Sequence, residues 1–172
     1  MKNLSYILLL TAALLTGCSG TAGDNSGDKA KSDLQLTSGG DEGEKAEGKP
    51  IKLDKESFKQ LVMDYEKNPK QWVYEGDKPA VIDFYADWCK PCRMIAPIME
   101  ELAAEYKDDV VIYKVDTQVE RELASVFGIQ SLPTVVFVPM DGNPSAQKGA
   151  LPKDSYKQII DSFLLKKTNQ QN

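Results

Sequence analysis

The sequence has no histidine and only three cysteines. Catalysis by a histidine-activated nucleophile is therefore excluded, and a zinc site with four Cys or His ligands cannot be assembled. Only one long apolar run exists, near the N-terminus, which excludes a membrane protein with several spans. The formal net charge is −5, and no basic stripe supplies phosphate contacts, so nucleic acid is not an expected partner.

The length and the apolar content indicate one globular domain. The chain has 172 residues, of which 41% are apolar. This is enough for a folded core, and it leaves room for little besides one domain.

The N-terminal segment has the features of an export signal. Lys2 is followed by the apolar run 6–15, which covers about 15 Å as a helix, half of a bilayer core of about 30 Å. The run ends in Leu-Thr-Gly before Cys18, which resembles the bacterial lipobox, and no A-x-A-like cleavage site is present. We expect residues 1–17 to be a lipoprotein signal peptide and Cys18 to be lipidated. The alternative is a buried or unpaired Cys18.

A flexible tether is predicted to follow the signal. Residues 18–49 begin with the lipidated cysteine and continue as a stretch rich in Gly, Ser and charged residues, without an aromatic residue. Such a composition cannot bury enough apolar surface to fold. Its r.m.s. span is on the order of 30 Å. The folded domain is predicted at 50–168, and 169–172 form a C-terminal tail.

Within the folded domain, strand and helix patterns alternate. Strands are predicted near 51–53, at 80–85, 110–115 and 134–138, and before or through Gly149; helices are predicted from the cap Asp54 to Tyr65 and at 93–106, 119–127 and 154–167. The run 80–85 is almost wholly apolar, which is typical of a central strand. Asp141-Gly142 indicates a hairpin. The order predicts a three-layer α/β domain.

A C-x-x-C motif lies where the strand 80–85 gives way to a helix. In a helical first turn, Cys89 and Cys92 are close enough for a disulfide, and Pro91 costs little because first-turn amides lack helical partners. The helix N-terminus favours the thiolate of Cys89, the form that attacks disulfides. We therefore expect Cys89 to be exposed and reactive, and Cys92 to be more buried.

Metal binding and a purely structural disulfide are the two rival interpretations of this motif. Zinc needs four ligands, and lipidation of Cys18 leaves two thiols and no histidine, so no metal is predicted. A structural disulfide could persist after export. A loop this short restrains the unfolded chain little, however, so stability alone explains the bridge poorly.

The residues around the motif resemble the active-site region of thioredoxin. The resemblance is carried by 81–106 (VIDFYADWCKPCRMIAPIMEELAAEY) and continues through Lys114-Val115-Asp116, Phe127-Gly128-Ile129, Leu132-Pro133-Thr134 and Gly149-Ala150-Leu151. It covers about 51–166 and implies a thioredoxin fold, three-layer α/β/α with a central mixed sheet. Three departures stand out: Lys90 where the family usually has glycine, Tyr85 where many members have tryptophan, and a longer segment 68–77.

The resemblance implies a role for four catalytic residues. Cys89 is the nucleophile that forms a mixed disulfide with the substrate, and Cys92 then attacks Cys89 and releases the reduced product. Asp83 matches the family's buried acid, whose pKa burial should raise, suited to proton exchange with Cys92. Lys114 matches the lysine paired with that acid. The alternatives are a strand-end or capping role for Asp83 and a solvated strand end for Lys114.

The resemblance also implies a surface that docks the substrate. Pro133 matches the cis-proline that faces the disulfide, and the Leu132 backbone would pair with an extended substrate segment. Trp88, Pro91, Gly128 and Gly149 would shape the apolar surface around it. Ordinary core and turn roles are the alternative for these residues.

We expect the chain to reduce disulfides of exported proteins, lipid-anchored outside the cytoplasm of a bacterial cell and facing the periplasm. Pro91 follows the reducing members of the family, whereas oxidising members commonly carry a histidine between the cysteines. No flavin or nicotinamide motif is present, so no cofactor is predicted and a membrane electron-transfer protein is the expected electron donor. An oxidase or isomerase is the alternative within this chemistry. A non-catalytic, tethered client-binding module is the alternative from another class.

Overall fold

A computed structural model describes residues 48–167. The predicted signal peptide, Cys18, residues 19–47 of the predicted tether and the tail 169–172 lie outside the described residues. The elements are β1 (Ile51–Lys52), α1 (Lys55–Leu61), β2 (Ala80–Tyr85), α2 (Lys90–Glu105), β3 (Val111–Asp116), α3 (Arg121–Val126), β4 (Thr134–Val138), β5 (Ser145–Lys148) and α4 (Lys153–Ile159), which continues into a π-helical turn (Ile160–Leu164).

The strands form one mixed sheet of five strands in the order β1-β3-β2-β4-β5. The strands β1, β3 and β2 are parallel, whereas β4 runs antiparallel to β2 and pairs with β5 as a hairpin. The central strand β2 is buried from Ala80 to Phe84, as its apolar run predicts. The C-terminal end of this strand leads directly into the C-x-x-C motif.

Helices cover both faces of the sheet, and two apolar clusters fill the spaces between the layers. Phe58 of α1 and Leu123 of α3 pack with Phe84 on one face. Ile95 of α2 and Tyr156 of α4 pack on the other. The predicted three-layer α/β/α architecture with a central mixed sheet is thereby confirmed.

Alternation along β2 decides which side chains reach the functional site. Successive strand residues point to opposite faces. Phe84 lies in the core cluster beneath α1 and α3, whereas Val81 lies in the cluster beneath α2 and α4. Asp83 and Tyr85 share the face of Val81, and both are therefore directed toward the side of the sheet on which α2 packs.

Helix α1 is shorter than the sequence predicts. Asp54 caps it as expected, accepting a hydrogen bond from the Ser57 backbone at 2.8 Å in a capping box. The helix ends at Leu61 rather than near Tyr65. Val62 and the next residue, Met63, are both buried in the same cluster, which consecutive positions of a straight helix do not achieve easily because they point about 100° apart.

Helix α2 begins earlier than predicted, at Lys90 instead of Arg93, with Cys89 as its N-cap. Pro97 lies inside the helix, and because proline has no backbone N–H, the Arg93 carbonyl loses its helical hydrogen-bond donor there. The other differences lie at element ends: β3 runs one position later than predicted, α3 is confined to Arg121–Val126, and the last helix passes into the π-helical turn at Ile160.

The segment 68–77 packs against the α1–α3 side of the domain. Trp72 contacts the ring of Phe127 edge-on, with 6.3 Å between centroids, and the Tyr74 hydroxyl donates a hydrogen bond to the Lys78 carbonyl at 2.6 Å. Between residues 48 and 167, no helix is long and apolar enough to cross a membrane.

Candidate active site

The two cysteines of the motif form a disulfide at the start of α2. Their Cα atoms are 5.3 Å apart. The strand β2 delivers the chain to this point, and the Cys89 amide donates to the Ala86 carbonyl at 3.1 Å, which closes the connection. The predicted disulfide-forming geometry of Cys89 and Cys92 is confirmed.

The amide groups of the first helical turn converge on Cys89. Its sulfur accepts a hydrogen bond from the Cys92 backbone N–H at 3.2 Å, and its carbonyl accepts one from the Arg93 backbone at 3.2 Å. Lys90 and Pro91 occupy the first turn, where an amide has no helical partner to lose. When the disulfide opens, these dipoles stabilise the negative charge of a Cys89 thiolate.

The expectation that Cys89 is exposed and Cys92 more buried is wrong for this disulfide form. Both residues are only 3% exposed. They form a small apolar cluster with Ala86, and the side chains of Tyr85 and Leu132 pack against it. Leu132 lies in the segment before β4, distant in sequence from the cysteines. The C-x-x-C motif alone therefore does not predict that Leu132 buries them.

Asp83 lies in the middle of β2, paired with Lys114 on β3 and Val135 on β4. This position excludes a capping or strand-end role. The residue is 5% exposed, and its Oδ1 atom has no hydrogen-bond partner within the described residues. Burial raises the pKa of the Asp83 carboxyl to about 7, against the opposing effect of the Lys114 charge, in agreement with the predicted upward shift.

Lys114 stands beside Asp83 in the sheet but does not neutralise it by a direct contact. Its ammonium lies 5.2 Å from the centroid of the Tyr85 ring, within the range of a cation–π interaction. Oδ1 of Asp83 stays unpartnered. Lys114, which the resemblance pairs with Asp83, therefore acts on the carboxyl only through space, and its ammonium contacts the Tyr85 ring instead.

A cleft of about 310 Å³ connects these groups. Asp83, Cys92 and Lys114 line it, together with the side chain of Tyr85 and the first turns of α2. The cleft is large enough for water molecules, and charged side chains form part of its otherwise largely apolar lining. The Asp83 carboxyl and the Cys92 sulfur thus lie on the wall of one cleft.

The predicted docking residues surround the disulfide to different extents. Trp88 is 70% exposed beside it, and Pro91 is also exposed. The Leu132–Pro133 peptide bond is cis, as predicted, while the Pro133 ring is buried. Gly149 has φ +86° and donates its amide to the Pro133 carbonyl at 2.8 Å; its positive φ suits a residue without Cβ.

The contact between the Tyr85 ring and the Lys114 ammonium was not predicted from the sequence, in which Tyr85 stands out only as a departure from the family pattern. The spacing of Asp83 and Tyr85 could have indicated that Tyr85 belongs to the site, since residues two apart on one strand share a face. The Thr117 hydroxyl also donates to the Tyr85 carbonyl at 2.9 Å, which fastens the end of β2 to the chain after β3.

These features together define a dithiol–disulfide oxidoreductase. Two cysteines at a helix N-terminus interconvert between thiols and a disulfide, and a buried carboxyl lines the same cleft as the second cysteine. No group of three or more His, Cys, Asp or Glu side chains that could hold a metal ion occurs within the described stretch of the chain.

Comparison with known proteins gives a consistent result. The family model described as Thioredoxin matches residues 49–162. Thioredoxin of Borreliella burgdorferi is 48% identical over 113 residues, covering 66% of this chain and 96% of that protein. Thioredoxin 1 of Synechococcus elongatus is 39% identical over 95 residues, covering 55% and 89% respectively. The solved structure of chloroplastic thioredoxin z is similar with a TM-score of 0.54 and 27% identity, covering 66% of this chain and 93% of that one.

The chain belongs to the thioredoxin family. Its fold is the thioredoxin fold, and its Cys89–Cys92 pair makes it a disulfide reductase.

Proposed function

We propose that this reductase acts on disulfides of exported proteins while anchored to a bacterial membrane through lipid on Cys18. The proposal is supported by one juxtaposition in the chain: a short apolar run ending in Leu-Thr-Gly-Cys stands in front of a complete reductase domain. An acylated Cys18 holds the domain at the membrane surface, since several acyl chains anchor far better than one. Residues 19–49 then link the anchor to the catalytic domain.

The reaction proceeds by two sulfur exchanges. The Cys89 thiolate attacks one sulfur of the substrate disulfide, so that a mixed disulfide forms and the other substrate sulfur leaves as a thiolate. The Cys92 thiol then loses its proton to Asp83 through water in the shared cleft. The Cys92 thiolate attacks the Cys89 sulfur, the second substrate thiolate leaves, and the Cys89–Cys92 disulfide remains. Two electrons have passed from the protein dithiol to the substrate.

A new cycle needs the Cys89–Cys92 disulfide to be reduced. We assign this step to a membrane protein that carries reducing equivalents outward and presents its own dithiol to Cys89. One thiolate of that donor attacks the disulfide, its second thiol releases the reduced protein, and the donor is left oxidised. The support is chemical, since the sequence has no flavin or nicotinamide motif from which electrons could come directly.

The substrate docks at the surface formed by Trp88 and the Leu132–Pro133 segment. The exposed Trp88 supplies apolar contact area. Leu132 packs against the cysteine pair, so a substrate segment paired with the Leu132 backbone would present its disulfide to Cys89.

Covalent trapping tests the substrate class. In a Cys92→Ala variant of the full chain, the mixed disulfide on Cys89 cannot be resolved, so substrates stay attached and can be identified by mass spectrometry. Exported proteins are expected on Cys89. A Cys89→Ala/Cys92→Ala double variant is the matched control and should trap none of them. Recovery of cytosolic proteins alone would contradict the proposal.

Lipidation is tested separately by metabolic labelling with a radioactive fatty acid. The full chain should carry the label and fractionate with membranes, whereas a Cys18→Ser variant should lose the label and leave the membrane fraction. Equal labelling of both proteins would exclude Cys18 as the lipid attachment site without affecting the assignment of the dithiol chemistry.

A further inference from the structure

Two side chains on the α2 face of the sheet, those of Asp83 and Tyr85, neighbour one cation, the Lys114 ammonium. Asp83 and Tyr85 lie two apart on β2, and Lys114 is the direct neighbour of Asp83 on the parallel strand β3. Neighbouring strands are about 4.8 Å apart, so a lysine side chain at this position can extend to either residue of β2. In the structure the ammonium lies over the Tyr85 ring, while Oδ1 of Asp83 has no hydrogen-bond partner among the described residues.

The arrangement leaves a choice between two partners for one charge. An ammonium in direct contact with a buried carboxylate would strongly favour the ionised form of that carboxylate. A carboxylate stabilised in this way is a weak base and takes a proton from a thiol poorly. With the ammonium over the Tyr85 ring, Asp83 lacks that direct contact, and the Lys114 charge acts on it only through space.

We propose that Tyr85 is a positioning residue, whose ring holds the Lys114 ammonium away from Asp83 and so keeps the carboxylate basic enough to accept the proton of Cys92. The inference rests on the proposed proton exchange between Asp83 and Cys92. It gives a specific task to the aromatic residue at the end of β2, beyond its packing against the cysteine cluster.

The other groups that face Asp83 do not offer a substitute cation. Cys92 of α2 lines the same cleft as Asp83. Burial raises the pKa of Tyr156 of α4, and the Asp83 charge adds to that effect. The Tyr156 hydroxyl already accepts a hydrogen bond from the Leu151 amide at 3.1 Å. Lys114 is thus the cation that opposes the effect of burial on Asp83.

The remaining charges along the cleft are Asp87, Arg93 and Glu100. The Arg93 guanidinium is engaged, since it donates a hydrogen bond to the Asp87 carbonyl at 2.8 Å. Asp116, beside Tyr85 in the sheet register, accepts the Gln118 amide at 3.0 Å. The pKa of Asp83 is raised to about 7 in this setting, with burial as the cause and Lys114 as the opposing charge.

The test measures the titration of the Asp83 side-chain carboxyl by ¹³C NMR in the oxidised full chain, in which neither Cys89 nor Cys92 can titrate. In Tyr85→Leu the freed ammonium should move to Asp83, and the midpoint should fall by about one pH unit or more, a tenfold change in the ionisation constant. Tyr85→Phe keeps the ring and should keep the midpoint. Tyr85→Met is a second variant without a ring, for use if Tyr85→Leu does not fold.

A matched double variant separates the proposed cause from simple solvation. If the fall is caused by Lys114, adding Lys114→Met to Tyr85→Leu should abolish it. A fall of equal size in the double variant would show that loss of the ring merely admits water to Asp83, and it would overturn the proposal. An unchanged midpoint in both ring-free variants would also overturn it.

A kinetic measurement distinguishes this proposal from the proposed proton exchange. The pH dependence of insulin reduction should shift to lower pH in Tyr85→Leu together with the Asp83 midpoint. If the midpoint falls and the pH–rate profile does not move, Tyr85 positions Lys114 as proposed, but Asp83 does not exchange a proton with Cys92.

Discussion

Replacing Asp83 by asparagine should stabilise the fold increasingly as the pH rises. Asp83 is 5% exposed, and burial raises its pKa from 3.8 to about 7. Below about pH 4 the carboxyl is neutral in both the folded and the unfolded chain, so it costs nothing. Between about pH 4 and pH 7 the unfolded chain gains free energy by ionising while the folded chain stays neutral, and folding stability is lost.

The size of the effect follows from the shift in pKa. Each pH unit corresponds to 1.36 kcal/mol, so the folded chain loses about 4 kcal/mol of stability through Asp83 over this range. The Asp83→Asn variant cannot ionise and avoids the loss. Relative to the parent chain, it should therefore gain about 4 kcal/mol between about pH 3 and about pH 8.

Urea unfolding of the oxidised chain at several pH values measures this difference directly. Asp116→Asn is a matched control, because Asp116 is equally buried but accepts a hydrogen bond from the Gln118 amide. That variant loses a charge-assisted hydrogen bond and should be destabilised at about pH 8. A free-energy difference between Asp83→Asn and the parent that stays constant with pH would refute the reasoning.

Three further predictions concern the reaction and the core. Lys90→Gly removes a cation from the first turn of α2 and should lower the reduction potential of the Cys89–Cys92 pair, measured by equilibration with glutathione. The potential of the parent chain should lie between about −270 and about −120 mV. Equal potentials for the variant and the parent would show that the Lys90 side chain is merely solvated. Cys89→Ser should abolish insulin reduction while client binding, measured by calorimetry, is retained; an unchanged cellular phenotype would instead favour a binding module. Phe58→Ala should destabilise the fold by about 3–5 kcal/mol in urea unfolding, because Phe58 is fully buried and contacts Phe127; a loss below about 1 kcal/mol would contradict the assigned packing.

The strands β2 and β4 could be predicted closely from the sequence because both are buried apolar runs with clear ends. The predicted bounds 80–85 and 134–138 are those of β2 and β4. Helix ends were predicted less well. Helix α1 ends where Val62 and Met63 both become buried in the core. Helix α2 begins directly after Cys89, earlier than the apolar periodicity of the sequence indicates.

The site divides in the same way between local and tertiary determinants. The disulfide geometry depends on one helical turn, so the spacing of Cys89 and Cys92 predicted it. The burial of Cys89 depends on Leu132, and the placement of the Lys114 ammonium depends on Tyr85 from the neighbouring strand. Neither contact can be read from a local pattern, because each joins residues far apart in the sequence.

The two tryptophans of the chain occupy opposite environments, which provides a built-in optical readout. Trp88 is solvent-exposed directly before the redox pair, whereas the indole nitrogen of Trp72 is buried against the far side of the domain. Fluorescence from Trp88 should respond to the oxidation state of its neighbour, while Trp72 should report unfolding. One emission spectrum can thus follow electron transfer and integrity of the domain simultaneously, without an attached dye.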